Sequence, residues 1–415
     1  MNAYSITILS AIVLRFIVDV IAQLLNLKAC RSEAPSSLEG IYKPDEYLTS
    51  QEYTRARTRL SLVTSSFDLV LIITFWFIGG FNYYDQLIRS WGFVPIVNGL
   101  FYFGILMLVY SLISLPFSIY ATFVIEERFG FNKTTPRIFI TDRIKTFMLS
   151  LIIGTPILTI VLALFEYAGS YAWVFCWTLV VLFSLGIQFV APIWIMPLFN
   201  KFTPMEPSRL KESILHYADS VDFPISNVFV MDGSKRSSKS NAFFSGLGRN
   251  RRIVLLDTLI QKHSISELVA VMAHEVGHYK KKHILQGFVL GIIHTGIIFF
   301  LLSVFINSTG LYQGFYMDQP SIYSGLLFFG LLYTPLEMVL SIILQIISRK
   351  NELQADRFAT ETTDRPESLI SALKKLSADN LSNLTPHPFY VFLNYSHPPL
   401  INRIKAIQQF RSQHP

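Results

Sequence analysis

Long apolar runs, separated by polar and basic segments, dominate this chain of 415 residues. A helix needs about 20 mostly apolar residues to cross the hydrocarbon core of a bilayer. Seven runs reach that length, at roughly residues 4–27, 60–81, 95–124, 146–168, 171–196, 284–306 and 322–347. The pattern therefore predicts a mainly α, polytopic membrane protein with seven transmembrane helices.

Four ionisable residues interrupt these apolar runs. Arg15 and Asp19 lie four apart in the first run, His294 lies in the sixth and Glu337 in the seventh. Charged groups inside a membrane usually face a bundle interior or water, because hydrocarbon solvates them poorly. We expect Arg15 and Asp19 to pair or to point into the protein interior. His294 and Glu337 should face the bundle interior or water, either as functional groups or only as satisfied packing contacts.

Basic residues lie on one side of the predicted bundle. They fill the odd-numbered connections, whereas the even-numbered connections hold little beyond Arg89. By the positive-inside rule, the basic side is cytoplasmic. We therefore expect the N-terminus outside, and both the long segment after the fifth run and the C-terminal tail in the cytoplasm.

The composition agrees with a membrane protein. Hydrophobic residues make up 51% of the chain and charged residues only 15%, whereas about a quarter of a soluble domain is charged. The formal net charge of +7 would suit a nucleic-acid-binding protein. Because the basic residues cluster between apolar runs, we interpret the charge as a topology signal and expect membrane lipid, not nucleic acid, as a partner.

The segment after the fifth run has non-membrane character. A helical pattern over 208–221 precedes three β-rich stretches, at 227–231, 241–245 and 253–256, with a turn over 246–250. These predict a small meander sheet. A strand in this position could bind an extended peptide by β-augmentation, or the sheet could merely support the next helix.

The most specific chemical signal is His274-Glu275-Val276-Gly277-His278, an HExxH sequence. A capping box at Ser264 and Glu267 opens a helical pattern that we expect to run beyond Lys282. Two histidines four apart lie on one face of a helix, where both imidazoles can bind one metal ion. Glu275 can then act as general base toward a water activated by Zn²⁺. The motif indicates a peptidase with one Zn²⁺ per chain.

A catalytic zinc site usually has three protein ligands. Glu352 is the best candidate for the third, because it follows the seventh run in a segment that continues the same helix. Asp356 lies one turn further and could orient a ligand imidazole. The alternative is that Asp356 is only a surface partner of Arg357 or Lys350.

The segment Ser396–Arg403 is the last unusual feature. His397 and Arg403 are suitable hydrogen-bond donors to an oxyanion, although His397 could simply start a helix before two prolines. Further helices are expected over 367–381 and 399–412. We divide the chain into 1–196 with five membrane helices, 197–283 with the sheet and HExxH helix, 284–347 with two membrane helices, and 348–415 with the third ligand and oxyanion residues.

An ordered set of motifs resembles the integral-membrane CAAX prenyl protease 1 family, the type I zinc endopeptidases of prenylated proteins. The resemblance covers nearly the whole chain. The motifs are Glu126–Lys133 (EERFGFNK), Ile195–Asn200 (IMPLFN), Ser240–Phe244 (SNAFF), His274–His278 (HEVGH), Asn351–Asp356 (NELQAD) and Ser396–Arg403 (SHPPLINR).

The resemblance implies roles for the candidate residues. His274, His278 and Glu352 are similar to the family's zinc ligands, and Glu275 to its general base. His397 and Arg403 would steady the tetrahedral intermediate. The strand of Asn241, Ala242, Phe243 and Phe244 would pair with a peptide or protein substrate, which is prenylated in the family. The implied fold is a zincin-like metalloprotease domain with a small sheet, on the cytoplasmic side of a helical barrel around a water-filled chamber.

The chain also differs from part of the family. It lacks a long insertion in the sixth connection and a retention signal for the endoplasmic reticulum, so it is more similar to the compact bacterial members. We expect a multi-pass protein of a bacterial cytoplasmic membrane with its active site facing the cytoplasm, or of the endoplasmic reticulum membrane if the source is eukaryotic.

Three other functions are compatible with parts of the pattern. A quality-control protease would cut misfolded membrane proteins at the same site without requiring a prenyl group. A transporter or channel would use the intramembrane polar groups and need no zinc. A catalytically silent scaffold would have no need for Glu275.

Overall fold

The structure is a computed structural model that describes residues 1–30, 43–225, 227–245, 252–363, 365 and 367–413. Among these residues, seven helices are long and apolar enough to cross a membrane, which confirms the seven predicted spans. They are α1, α2, α4, α5, α6, α10 and α12 of the following set. In chain order the helices are α1 (Ala3–Ala29), α2 (Pro44–Phe77), α3 (Gly80–Arg89), α4 (Pro95–Tyr120), α5 (Pro136–Tyr167), α6 (Ala172–Val190), α7 (Arg209–Ser220), α8 (Asp257–Lys262), α9 (Ile265–Lys280), α10 (His283–Phe305), α11 (Thr309–Gln313), α12 (Ile322–Thr362), α13 (Glu367–Asp379), α14 (Pro388–Asn394) and α15 (Leu400–Gln413).

Helix α12 is much longer than a membrane requires. Its 41 residues span about 60 Å at 1.5 Å per residue, twice the thickness of a hydrocarbon core. Its C-terminal half, which carries Glu352, therefore projects beyond the bilayer, as predicted for this segment. The same rigid helix joins the membrane bundle to the non-membrane part.

Two π-helical segments extend membrane helices, and the sequence pattern does not predict them. Ala121–Glu126 continues α4, and Ala191–Ile195 continues α6. A π-helical turn inserts an extra residue and so re-aims the side chains after it. Glu126, the last residue of the first segment, is also the first residue of the EERFGFNK motif.

The intramembrane ionisable groups meet other polar groups. Arg15 Nε lies 4.0 Å from Asp19 Oδ2 on α1. His294 Nε2 on α10 lies 3.0 Å from Glu337 Oε2 and 3.1 Å from Tyr333 Oη, both on α12. These contacts agree with the expectation that such groups would find partners within the bundle.

The sheet contains four strands, β1 (Phe202–Pro204), β2 (Asn227–Met231), β3 (Ala242–Ser245) and β4 (Arg252–Leu256), in the order β1-β2-β4-β3. The predicted meander is wrong, because β4 pairs parallel with β2 and antiparallel with β3. The chain between β2 and β3 is long enough to pass the position that β4 fills. Strand β3 is consequently an edge strand among the described residues. The turn predicted over 246–250 lies outside them.

The HExxH helix α9 forms the centre of the non-membrane core. Its buried side chains, including Leu268, Met272 and Val276, pack in one apolar cluster with Ile214 of α7 and Leu255 of β4. That cluster also contains residues of α12, α13 and α15. Helix α9 is thus held by apolar contacts on the faces that do not carry the metal-binding side chains.

Both ends of α9 are defined by local chemistry. The predicted capping box is confirmed, since Ser264 Oγ accepts from the Glu267 main chain and Glu267 Oε2 accepts from the Ser264 main chain. The helix does not run beyond Lys282 as expected. It ends at Lys280, and Lys282 takes a left-handed conformation with φ of 60°, so that α10 starts in a new direction.

Glu267 also receives hydrogen bonds from α13, from Ser371 Oγ at 2.6 Å and Lys375 Nζ at 2.8 Å. We predict that Glu267→Ala lowers the free energy of unfolding by about 2 kcal/mol, because the cap and a buried network are lost together. Thermal unfolding in detergent measures the change. The matched control is Glu212→Ala, at an exposed position in the first turn of α7; equal destabilisation by both would contradict the prediction.

The Glu267 contribution should depend on pH. Burial alone would raise the pKa of Glu267, but hydrogen bonds from Lys375, Ser371 and the Ser264 main chain outweigh it and lower the pKa to about 2. This lies below the unfolded value of about 4.3. The stabilisation is therefore complete above the unfolded pKa and is lost as the pH falls toward 2.

Candidate active site

A close approach of α9 and α12 builds the site. Gly277, inside HEVGH, lies against α12, where a Cβ atom at this position would come within 3.0 Å of Ala355 Cα and 3.1 Å of its carbonyl oxygen. A Cβ atom here would be crowded against the α12 backbone, so a larger residue would require the two helices to move apart slightly. With glycine at this position, one turn of α12 faces the two histidines of α9.

His274, His278 and Glu352 converge on one point. His274 Nε2 and His278 Nε2 are 3.2 Å apart. They lie 3.4 Å and 3.3 Å from the Glu352 carboxylate oxygens Oε2 and Oε1. One donor atom from each residue lies within 4.8 Å of the others. The structure thus brings together the three residues predicted as ligands.

The chemistry of these three side chains fits a divalent metal. Glu352 is 5% exposed, and its Oε2 atom has no hydrogen-bond partner among the described residues. A buried carboxylate oxygen without a partner is costly unless a cation compensates it. Two imidazole nitrogens and a carboxylate oxygen are a ligand set that zinc prefers.

Asp356 and Arg403 lie behind the first histidine. Asp356 is fully buried and its Oδ1 lies 2.9 Å from His274 Nδ1. Arg403 donates to both Asp356 oxygens, at 2.7 Å from Nε and 2.6 Å from Nη2. The alternative of a surface pair with Arg357 or Lys350 is therefore excluded for Asp356, which orients the imidazole that faces Glu352.

The carboxylates of Asp356 and Glu352 make the surroundings of His274 favourable for positive charge. Burial alone disfavours a protonated imidazole, but hydrogen bonds with Asp356 and Glu352 outweigh it and raise the pKa of His274 to about 9. A field that attracts a proton also attracts a metal cation.

His283 contacts and orients His278, and no sequence motif predicted this role. Its Nδ1 lies 3.1 Å from His278 Nδ1, and its Nε2 lies 2.9 Å from Gln354 Oε1. If His278 faces a metal through Nε2, its Nδ1–H must donate, so we assign His283 as a neutral ring that accepts at Nδ1 and donates from Nε2 to Gln354. The left-handed turn at Lys282 brings the ring here, so spacing within one continuous helix could not reveal it.

Glu275 and His397 face the same cavity, which has a volume of about 450 Å³. Burial raises the pKa of Glu275 above its ordinary value, which makes it a stronger base. His397 Nε2 lies 3.3 Å from Glu352 Oε1, and its side chain is 62% exposed, so it is accessible from the cavity. Arg403 does not line the cavity, and its Nη1 lies 3.7 Å from Glu352 Oε2.

The predicted substrate strand borders the cavity. Phe243 is among the lining residues. Asn241 precedes β3, and Ala242, Phe243 and Phe244 pair with β4 as an antiparallel edge. The Asn241 carbonyl accepts from Leu256 N at 3.2 Å. Because main-chain direction alternates along a strand, the Ala242 and Phe244 amides and carbonyls point away from β4.

The fold and the site together define a class: a polytopic membrane protein with an HExxH metallopeptidase domain. Comparison with known proteins agrees. Residues 23–201 match the CAAX prenyl protease N-terminal family with five membrane helices, and residues 204–411 match peptidase family M48.

CAAX prenyl protease 1 of Saccharomyces cerevisiae is 35% identical over 415 aligned positions, covering 92% of this chain and 89% of the yeast protein. The CAAX prenyl protease 1 homolog of Arabidopsis thaliana is also 35% identical, covering 97% of this chain and 96% of the plant protein. The crystal structure of S. mikatae Ste24p superposes with a TM-score of 0.93 at 33% identity, covering 98% and 99% of the two chains.

The chain therefore belongs to the CAAX prenyl protease 1 family of M48 metallopeptidases. It is a multi-pass membrane metalloendopeptidase that acts on peptide substrates. These relatives are eukaryotic and lend no support to the expected bacterial origin.

We predict that Gly277→Ala weakens metal binding about tenfold or more, because the new methyl group pushes α9 away from the α12 backbone. Alanine normally stabilises a helix relative to glycine by about 1 kcal/mol. Weaker metal binding in this variant would therefore not come from lower helix propensity and can be assigned to crowding. Competition with a chelator of known zinc affinity measures the change. Gly291→Ala on α10, where a Cβ meets nothing within 4 Å, is the control; similar affinities in both variants would refute the packing role.

Proposed function

We propose that this chain is a zinc-dependent endopeptidase of CAAX-type prenylated peptides, with one Zn²⁺ bound by His274, His278 and Glu352. The supporting observation is the convergence of these donors around a buried Glu352 oxygen that accepts no hydrogen bond from the described residues. The substrate class is supported by the relatives, which are named CAAX prenyl proteases.

A bound zinc ion would supply Lewis acidity, which lowers the pKa of water to about 7 and polarises a carbonyl. Glu275 accepts the proton of the attacking water as that water adds to the scissile carbonyl. It then gives the proton to the nitrogen of the leaving amine. Its partial burial beside two histidines supports this role, because a desolvated carboxylate is more basic.

The oxyanion that forms on the scissile carbonyl needs hydrogen-bond donors. His397 is the better placed donor, since it lines the cavity with an exposed ring. Arg403 is committed to Asp356 through two nitrogens. We therefore assign Arg403 to hold Asp356 and Glu352 and to add positive charge from behind them.

The substrate is proposed to lie in extended form along β3. The outward main chain of Ala242 and Phe244 offers the hydrogen bonds of an added antiparallel or parallel strand. Phe243 borders the cavity that also contains Glu275. A peptide paired with this edge would thus pass beside the catalytic groups.

We further propose that the site faces the cytoplasm. The HExxH helix ends in Lys280, followed by Lys281 and Lys282, and basic residues near membrane helices favour the cytoplasmic side. The eukaryotic relatives favour a eukaryotic over a bacterial membrane.

The central test is Glu275→Gln. The amide keeps the shape of the side chain but cannot take a proton, so kcat should fall by at least about a thousandfold, equal to about 4 kcal/mol of transition-state stabilisation. Zinc content should remain near one per chain, because Glu275 is not a ligand. Single-turnover peptide cleavage and metal analysis are the measurements, and normal turnover in this variant would remove the assignment.

A second test concerns the lipid. The purified full chain should cleave a farnesylated CAAX peptide with a kcat/KM at least about tenfold above that of its unmodified counterpart, if an apolar group contributes binding. Equal values with efficient cleavage of both would support a quality-control protease instead. Transport without cleavage, insensitive to chelator, would support the transporter alternative.

A further inference from the structure

The EERFGFNK motif contacts the segment that leads into β3, and neither the metal site nor the catalytic groups account for it. Glu126 Oε1 accepts from Tyr53 Oη at 2.6 Å, and Glu126 Oε2 accepts from Lys239 Nζ at 2.8 Å. Lys239 Nζ also donates to Tyr53 Oη at 2.7 Å. A carboxylate, a phenol and an ammonium from three separate segments therefore meet in one network, and Arg57 Nη1 also lies 3.4 Å from Glu126 Oε1.

The surroundings of Lys239 strengthen this network. The ammonium lies 4.4 Å from the ring centroid of Phe131 and 5.1 Å from that of Tyr53. The Glu126 side chain is 18% exposed and that of Lys239 35%. The two aromatic faces and the Glu126 carboxylate attract the ammonium, and partial exclusion of water strengthens these attractions.

Main-chain pairing continues the contact. Asn132 and Ser237 form an antiparallel bridge. Lys133 N donates to Arg236 O at 3.0 Å, and Ser238 N donates to Phe131 O at 3.1 Å. The connection between α4 and α5 thus forms a short β-like ladder with residues 236–238, three residues before Asn241.

The other side of the same segment is also held. Ser240 N donates to Asn380 Oδ1 at 3.1 Å, and Asn380 Nδ2 donates back to Ser240 O at 3.1 Å. Residues 237–240 are therefore held by hydrogen bonds on two sides, to the connection between α4 and α5 and to Asn380, which follows α13. Asn241 follows this held segment directly, and β3 begins at Ala242.

We propose that Lys239 and Glu126 are positioning residues: they fix the edge of β3 so that the outward main chain of Ala242 and Phe244 receives the peptide beside Glu275. The inference rests on the proposed pairing of substrate with β3. An edge that is already ordered binds without a further loss of conformational entropy. Loss of the contact between Lys239 and Glu126 should therefore weaken peptide binding, whereas the rate of cleavage of a bound peptide should stay nearly the same.

The test uses the zinc-loaded full chain and a peptide that the wild type cleaves. Lys239→Met and Glu126→Gln should each raise KM about tenfold, with kcat changed less than about twofold and zinc content unchanged. The double variant should be no worse than the worse single variant, because both remove one interaction. Lys239→Arg, which can still pair with Glu126, should restore a KM near the wild-type value.

Lys235→Met is the matched control, an exposed lysine of the same loop, and should leave KM unchanged. The inference is overturned if Lys239→Met behaves like this control. It is also overturned if kcat, zinc content and thermal stability all fall together, since that pattern describes a general folding defect.

Ala242→Pro tests the pairing of substrate with β3 separately from the positioning role of Lys239 and Glu126. Proline removes an outward amide that takes no part in the β3–β4 ladder, so KM should rise. A rise with Ala242→Pro but none with Lys239→Met rejects only the positioning role. No rise with Ala242→Pro rejects substrate pairing on β3 itself, and the positioning role with it.

Discussion

The contact of Gly277 with the backbone at Ala355 is the constraint on which the site depends. It lets α9 and α12 approach closely enough that Glu352 lies 3.4 Å from His274 and 3.3 Å from His278. Because α12 is also the seventh membrane helix, the proposed third ligand lies on the extension of a membrane helix beyond the bilayer. The site therefore forms only when the bundle and the non-membrane core are assembled together.

The two ligand histidines are supported differently. Asp356 and Arg403 place a charged pair behind His274, whereas His283 and Gln354 place a neutral relay behind His278. Each arrangement fixes one tautomer, so both rings present Nε2 to the same point. The Asp356 carboxylate beside His274 favours a bound cation. The neutral side chains of His283 and Gln354 behind His278 limit the negative charge that must be buried.

Features that depend on local periodicity could be predicted from the sequence. The seven spans, the capping box at Ser264 and the convergence of His274 with His278 all follow from spacing within one segment. Glu352 could be chosen because its helix continues the last span. The strand order, the π-helical turn before Glu126 and the position of His283 could not, because they depend on non-local pairing or on one left-handed residue, Lys282.

In the proposed site, two imidazoles and one carboxylate bind a single zinc ion. X-ray absorption of the zinc-loaded protein tests this most directly, together with metal analysis of Glu352→Ala. The predicted spectrum has two imidazole nitrogens near about 2.0 Å, the remaining ligands being oxygen and none sulfur, and the variant should bind zinc far more weakly. A sulfur-containing shell, a single imidazole, or unchanged zinc affinity without Glu352 would contradict the account.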